Sequence, residues 1–416
     1  MTTANKRNLQ LDFLRGVAIL LVLGRHLELP RPDGSIGTLA HLWFTIGWLG
    51  VDLFFVLSGF LIGGLLLAEL KKYGQINIPR FLARRGLKIY PPYLVFLAYV
   101  ALMPSFKTFL AGEDAWELLA KDCSMLWPNL LFLQNYVGSN PIGHTWTLAV
   151  EEHFYLLLPF VLALLASTGR VRLLVPICLA MVPVFLTLRC LSVWNADAFS
   201  VTVSATHLRL DALLFGVGIR AMAEYLPERF QGARRWRGLM VMTGIILWLP
   251  NVFIEPSTPF IRTFGLTASF LGSAAFLVAA YQTHEEDFGR WKQFAIPIIS
   301  LVAWIGVYSY AIYLWHVTTI GILEREAAGR LAMWIEQSTP LWWLLSAALV
   351  CGGAILSGVV AAKVVEWPVL RFRDRFFPTR SAALPVVRTK SENIVCSEEL
   401  VKGPSLQPLG SLKVES

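Results

Sequence analysis

Long apolar stretches alternate along this chain with short polar ones, and the polar ones are largely basic. The apolar runs lie near 11–29, 48–69, 89–104, 146–167, 173–191, 208–223, 239–254, 263–281, 297–321 and 341–365. One bilayer crossing needs roughly 17 to 25 such residues. The pattern therefore predicts an all-α, polytopic integral membrane bundle of about ten transmembrane helices. From about residue 378 the apolar pattern stops and Ser, Lys, Glu and Pro take over, which predicts a disordered cytoplasmic tail over 378–416 behind a single transmembrane domain, 1–377. The first run is long enough to span and lacks the short apolar core and small-residue cleavage site of a secretory leader, so it is expected to be retained.

Lys and Arg set the orientation. Lys6 and Arg7, then Lys71, Lys72, Arg80, Arg84, Arg85 and Lys88, then Arg170 and Arg172, Arg229 to Arg237, Arg290 and Lys292, and Arg371 to Arg375 fall on one side of an even-numbered bundle. The alternate loops are poorer in cations, so both termini are expected to be cytoplasmic. Composition agrees with the membrane class: 56% of the 416 residues are hydrophobic and 15% charged, with a mean hydropathy of +0.58. The formal net charge of +8 is spread over loops and does not form a basic domain, which excludes nucleic acid as the expected partner and leaves membrane lipid. Five cysteines stand singly. Neither a disulfide framework nor a metal site is expected.

The polar residues inside the runs carry the functional reading, because a titratable group at bilayer depth is unfavourable unless it is paired or lines a wet cavity. LDFLRGVAILLVLGRH (11–26) holds Asp12, Arg15, Arg25 and His26. At about 1.5 Å per residue His26 lies roughly 21 Å along the helix from Asp12, towards the outer surface. Asp52, His144, Glu151, Glu152, Arg209, Asp211 and His316 fall in the same outer half by the same reckoning. Each alone could simply tie helices together; their convergence points to a site. His41 and His207 are read as interfacial, His284 as part of an inner loop and His153 as packing. The glycines of GVDLFFVLSGFLIGG (50–64) are read as points of close helix approach. On the opposite face, Arg80, Arg84, Arg85 and Lys88 in IPRFLARRGLKIYPPY (78–93) recur at helical spacings. They could clamp phosphates or only hold the loop inside against anionic headgroups, and both readings stand.

These stretches resemble the membrane-bound acyltransferase 3 family, which includes bacterial O-acetyltransferases of surface polysaccharides. The resemblance rests on LDFLRGVAILLVLGRH (11–26), GVDLFFVLSGFLI (50–62), FLARRGLKIYPPYL (81–94), TWTLAVEEHFYLLLPF (145–160), HLRLDALLFG (207–216), IGVYSYAIYLWH (305–316) and VEWPVLRF (365–372), in family order over about 9–375. Thr147 and His153 stand where Ser and Gln are usual. No appended SGNH hydrolase-like domain is expected from this sequence, so the acceptor is expected to be handled by the membrane unit or by another protein. The resemblance implies a multi-pass protein of the bacterial inner membrane. It would have no tightly bound cofactor, with acyl-CoA, commonly acetyl-CoA, as co-substrate and a carbohydrate or glycolipid hydroxyl as acceptor.

On that footing Arg84, Arg85 and Lys88, helped by Arg80 and Arg15, are expected to hold the donor phosphates. His26 would be the general base for the hydroxyl, since an imidazole titrates near neutrality. Glu152, Glu151 or Asp52 could orient it, and Arg209, Asp211, His316 or His144 could bind the acceptor or steady the oxyanion. The competing class is a secondary transporter of a small polar solute, which would also place ionisable groups at depth.

Overall fold

The computed structural model describes residues 8–112, 116–137, 142–337 and 339–378. Lys6, Arg7 and the tail expected beyond residue 378 lie outside these residues. The described chain is all helical, without strands. A backbone in hydrocarbon must satisfy its own N–H and C=O groups, and helices do so within one segment. The helices that build the site are α1 (Leu9–Arg25), α2 (Ser35–Ile46), α3 (Leu49–Tyr73), α4 (Ile78–Leu110), α5 (Trp146–Ser167), α6 (Leu174–Trp194), α7 (Leu210–Tyr225), α8 (Arg237–Trp248), α9 (Leu266–Tyr281), α10 (Lys292–Val307), α11 (Ser309–Leu323), α12 (Pro340–Ala361) and α13 (Trp367–Phe376).

Seven helical stretches among the described residues are long and apolar enough to cross a membrane, rising to eight if one bent pair counts as a span. The expectation of about ten uniform helices is modified at three places. Helix α1 has 17 residues and α7 has 16, at or just under the shortest crossing, and neither has an exposed residue, so both lie inside the bundle. The run 297–321 is not one helix. It breaks at Tyr308 into α10 and α11, inclined to each other by 75°, which turns α11 so that His316 meets the end of α1. Helix α4, in contrast, is longer than the apolar run at 89–104: its 33 residues carry the basic segment and the apolar segment as one rod. Asn77 caps it by accepting from the Arg80 N–H at 3.0 Å.

Close packing of α3 on α7, and of α1 on α10, is set by paired glycines. A Cβ on Gly59 would meet the carbonyl oxygen of Leu213, and one on Gly216 the carbonyl oxygen of Val56. Gly16 and Gly306 oppose Val302 and Asp12 in the same way. Without a hydrophobic force between helices in lipid, such approaches supply the dispersion contacts that hold the bundle. Gly59→Val is accordingly expected to separate α3 from α7 and destabilise the fold by about 1–3 kcal/mol. It should lower the thermal midpoint in detergent, whereas Gly352→Val, whose Cβ meets nothing within 4 Å, leaves the midpoint in place. Equal midpoints for the two variants would show that the approach is not under steric control.

Candidate active site

The break at Tyr308 and the short α1 together bring three histidines into contact. His26 is the C-cap of α1, His316 lies in α11 and His144 just precedes α5. The His26 and His316 rings are 4.7 Å apart edge to face, and His316 and His144 are 5.2 Å apart. The hydrogen bonds assign the protons. His316 Nδ1 lies 2.6 Å from the Tyr313 carbonyl and must donate to it, which leaves its Nε2 as an acceptor. His26 Nδ1 lies 2.9 Å from the Val22 carbonyl and 3.3 Å from His316 Nε2. Both neighbours accept, so His26 carries its proton on Nδ1 and keeps a free lone pair on Nε2. His144 donates from Nε2 to the Leu314 carbonyl at 3.2 Å.

This corrects the expected geometry around His26. Its orienting partners among the described residues are a backbone carbonyl and an imidazole, not a carboxylate. Asp52 accepts from Arg209 NH2 at 2.6 Å in a fully buried pair. Glu151 accepts from the Tyr155 hydroxyl at 2.9 Å. Glu152 is buried with Oε1 unpartnered. Asp211 is also displaced from its expected role. It accepts from Arg189 at 2.7 Å, and Arg189 donates further to the Leu208 carbonyl and Thr267, so this carboxylate ties α6, α7 and α9 together.

Two cavities adjoin at Tyr313. The first, about 210 Å³, is lined by His26, His144, Arg209, Trp48, Trp146 and Tyr313, among others. The second, about 440 Å³, gathers Arg15, Arg84, Arg85, Lys88 and Arg373, with Glu151 and Glu366 as its carboxylates. Five cations against two lining carboxylates leave the second cavity net positive, with Asp12 paired to Arg15 and Asp374 to Arg84 and Arg373 beside it. Tyr313 lines both cavities. Its hydroxyl donates to the His144 carbonyl at 2.7 Å and accepts from Thr147 at 2.7 Å, so the ring is held in place where the two cavities adjoin. A helix α2 that the apolar pattern did not predict flanks the first cavity. Its Trp43 indole donates to the Leu20 carbonyl at 3.0 Å, and the following Gly47 and Trp48 reach the lining.

Of the four cations expected on α4, Arg84, Arg85 and Lys88 line the basic cavity with Arg15. Arg80 does not. It donates to the Pro378 carbonyl, and Arg84 donates both to the Phe377 carbonyl and, at 3.1 Å, to Asp374. Sequence reasoning missed Tyr313, Arg373 and the Ser58–Tyr155–Glu151 relay at the cavity wall, where Ser58 and Tyr155 hydroxyls are 2.7 Å apart. Tyr313 precedes His316 by three residues, one helical turn, which is the signal that could have singled it out. Among the described residues, no cluster of His, Cys, Asp or Glu could hold a metal ion.

Comparison with known proteins bears on this arrangement. A family model described as an acyltransferase domain matches residues 8–359. A peptidoglycan O-acetyltransferase of Listeria monocytogenes is 26% identical over 321 residues, covering 74% of this chain and 48% of that protein. A putative O-acetyltransferase of Staphylococcus aureus is 27% identical over 334 residues, 76% of this chain and 51% of its own. A putative peptidoglycan O-acetyltransferase of Bacillus subtilis is 25% identical over 329 residues, 74% of this chain and 48% of its own. The chain thus spans about half the length of these relatives. No solved structure matches it.

Proposed function

Because this chain belongs to the acyltransferase 3 family, we propose that it is a membrane O-acyltransferase carrying an acyl group, acetyl in the first instance, from acyl-CoA to a carbohydrate hydroxyl. The observation that carries this reading is that one residue, Tyr313, lines both a cavity of five cations and a cavity that holds a histidine with a free lone pair, so that the two adjoin there. Coenzyme A is too polar to cross a bilayer, but its pantetheine arm is long and thin. Arg15, Arg84, Arg85 and Lys88 would hold the phosphates at the basic end, and the arm would run past Glu151 and Thr147 towards Tyr313.

In the histidine cavity, His26 Nε2 accepts the hydroxyl proton as the oxygen attacks the thioester carbonyl. The Nδ1–H held between Val22 and His316 keeps the ring in the required tautomer. Arg209, anchored by Asp52, lies beside the reacting centre and stabilises the oxyanion. When the tetrahedral intermediate collapses, the imidazolium returns its proton to the departing thiolate. His144 holds the α11 backbone that carries His316. The aromatic walls Trp48 and Trp146 offer faces on which a sugar ring can stack.

The positive-inside rule supports a cytoplasmic basic end, and on that reading the donor would enter from the cytoplasm and the acceptor would lie on the extracytoplasmic side of a bacterial inner membrane. The acceptor is an extracytoplasmic or lipid-linked glycan, and the relatives' names make peptidoglycan the first to test. The decisive experiment supplies acetyl-labelled acetyl-CoA to inside-out membrane vesicles containing the protein and a peptidoglycan precursor. Label recovered in an alkali-labile ester, with free thiol released in equal amount, is the expected result. Solute movement without donor consumption would mark a transporter instead.

A further inference from the structure

The basic cavity is closed on one side by α13, a polar helix that the expected donor site does not include. Glu366, Trp367, Leu370 and Arg373 line the cavity, at spacings of one, four and seven that place them on one helical face. The helix end is held onto α4 by the carbonyls of Phe377 and Pro378, which accept from Arg84 and Arg80. Between the two helices a single oxygen collects three donors: Asp374 Oδ1 accepts from Arg84 NH2 at 3.1 Å, from Arg373 Nε at 3.0 Å and from Arg373 NH2 at 2.8 Å. Two guanidinium groups from different helices are thus converged on one anionic atom at the edge of the cavity.

We propose that Arg373 is a donor-binding residue and that Asp374 is an internal anion which a phosphate of the acyl donor displaces from Arg373 and Arg84. The inference rests on the reading of the cavity as an acyl-CoA site. Its physical basis is a difference in strength. The Asp374 side chain is 55% exposed, so its ion pairs are screened and weak. A phosphate presents several charged oxygens to the same two planar forks, a geometry that guanidinium groups bind in bidentate fashion. Asp374 keeps the two arginines aligned, and its removal leaves Arg373 without a competing anion and Arg84 held only by the Phe377 carbonyl. The C-terminal helix therefore tunes donor affinity in both directions, with one residue contributing and its neighbour competing.

The test is equilibrium binding of acetyl-CoA to the full chain in lipid nanodiscs, for the wild type and for Arg373→Ala, Arg373→Lys, Asp374→Asn and Arg85→Ala. Arg373→Ala is expected to weaken binding about tenfold, as for loss of one charge-assisted contact, and Arg373→Lys to recover part of it. Asp374→Asn is expected to tighten binding several-fold, a gain that a merely structural role for α13 would not produce. S-acetylpantetheine, which has no phosphate, should bind the wild type and Arg373→Ala alike. If Arg373→Ala and Asp374→Asn bind acetyl-CoA as the wild type does while Arg85→Ala fails, α13 has no part in the site and the cavity reading survives. Failure of the wild type to bind acetyl-CoA overturns both.

Discussion

His26→Ala is expected to reduce acyl transfer about a thousandfold while leaving acetyl-CoA binding unchanged. General-base catalysis by a positioned imidazole contributes roughly 10²–10⁴, and His26 lines the aromatic cavity with its proton held on Nδ1. The donor phosphates are assigned to groups on α4, α1 and α13, none of which touches this ring, so the loss should fall on kcat and not on donor affinity. His316→Phe supplies the graded comparison. It removes the imidazole at 3.3 Å from His26 Nδ1 but leaves the Val22 carbonyl at 2.9 Å to hold the tautomer, so a smaller loss, about tenfold, is expected. Single-turnover transfer from labelled acetyl-CoA, with donor binding measured in parallel, separates the two effects. Full activity in His26→Ala would remove the base from the scheme and leave the histidines as helix ties.

The double variant Arg85→Ala with Lys88→Ala is expected to raise the KM for acetyl-CoA by at least about a hundredfold with little change in kcat. Charge-assisted contacts contribute about 1.5–3 kcal/mol each, and about 1.4 kcal/mol is a factor of ten. Both side chains line the basic cavity, on the same rod as the rest of α4. Arg80→Ala is the matched control. It removes a cation from the same segment, yet Arg80 faces the Pro378 carbonyl and not the cavity, so donor KM should stay within about twofold to threefold, the size of an exposed ion-pair effect. A uniform loss across all three positions would mean that these charges act only through the field of the loop or on lipid headgroups. The profile of kcat and KM against each substitution decides between the two readings.

Much of this protein was legible without coordinates. Apolar run length declares membrane helices because every crossing must hide its own backbone. The motifs from LDFLRGVAILLVLGRH to VEWPVLRF are local in sequence, so the family resemblance could be read directly and the family match over 8–359 agrees with it. His26, Arg84, Arg85 and Lys88 could be singled out because a titratable group in an apolar run, or cations at helical spacing, is a local anomaly.

What the tertiary structure alone decided is which of these groups meet. The partner of His26 lies 290 residues away, on a helix aimed there by a 75° break inside what reads as one uniform apolar run. No periodicity encodes that turn. Asp52, Glu151 and Glu152 have the right chemistry to orient an imidazole, but Arg209 and Tyr155 engage the first two, because a buried charge is stable only beside its partner. Asp211 goes to Arg189 for the same reason. Arg80 and Arg84 sit one turn apart on α4, yet α13 packs so that only Arg84 reaches the cavity. Composition and pattern determine that this chain lies in a membrane and which residues are out of place there. The crossing of the helices determines which of those residues face each other, because burial in a low dielectric forces each polar group to find its partner in space and not along the chain.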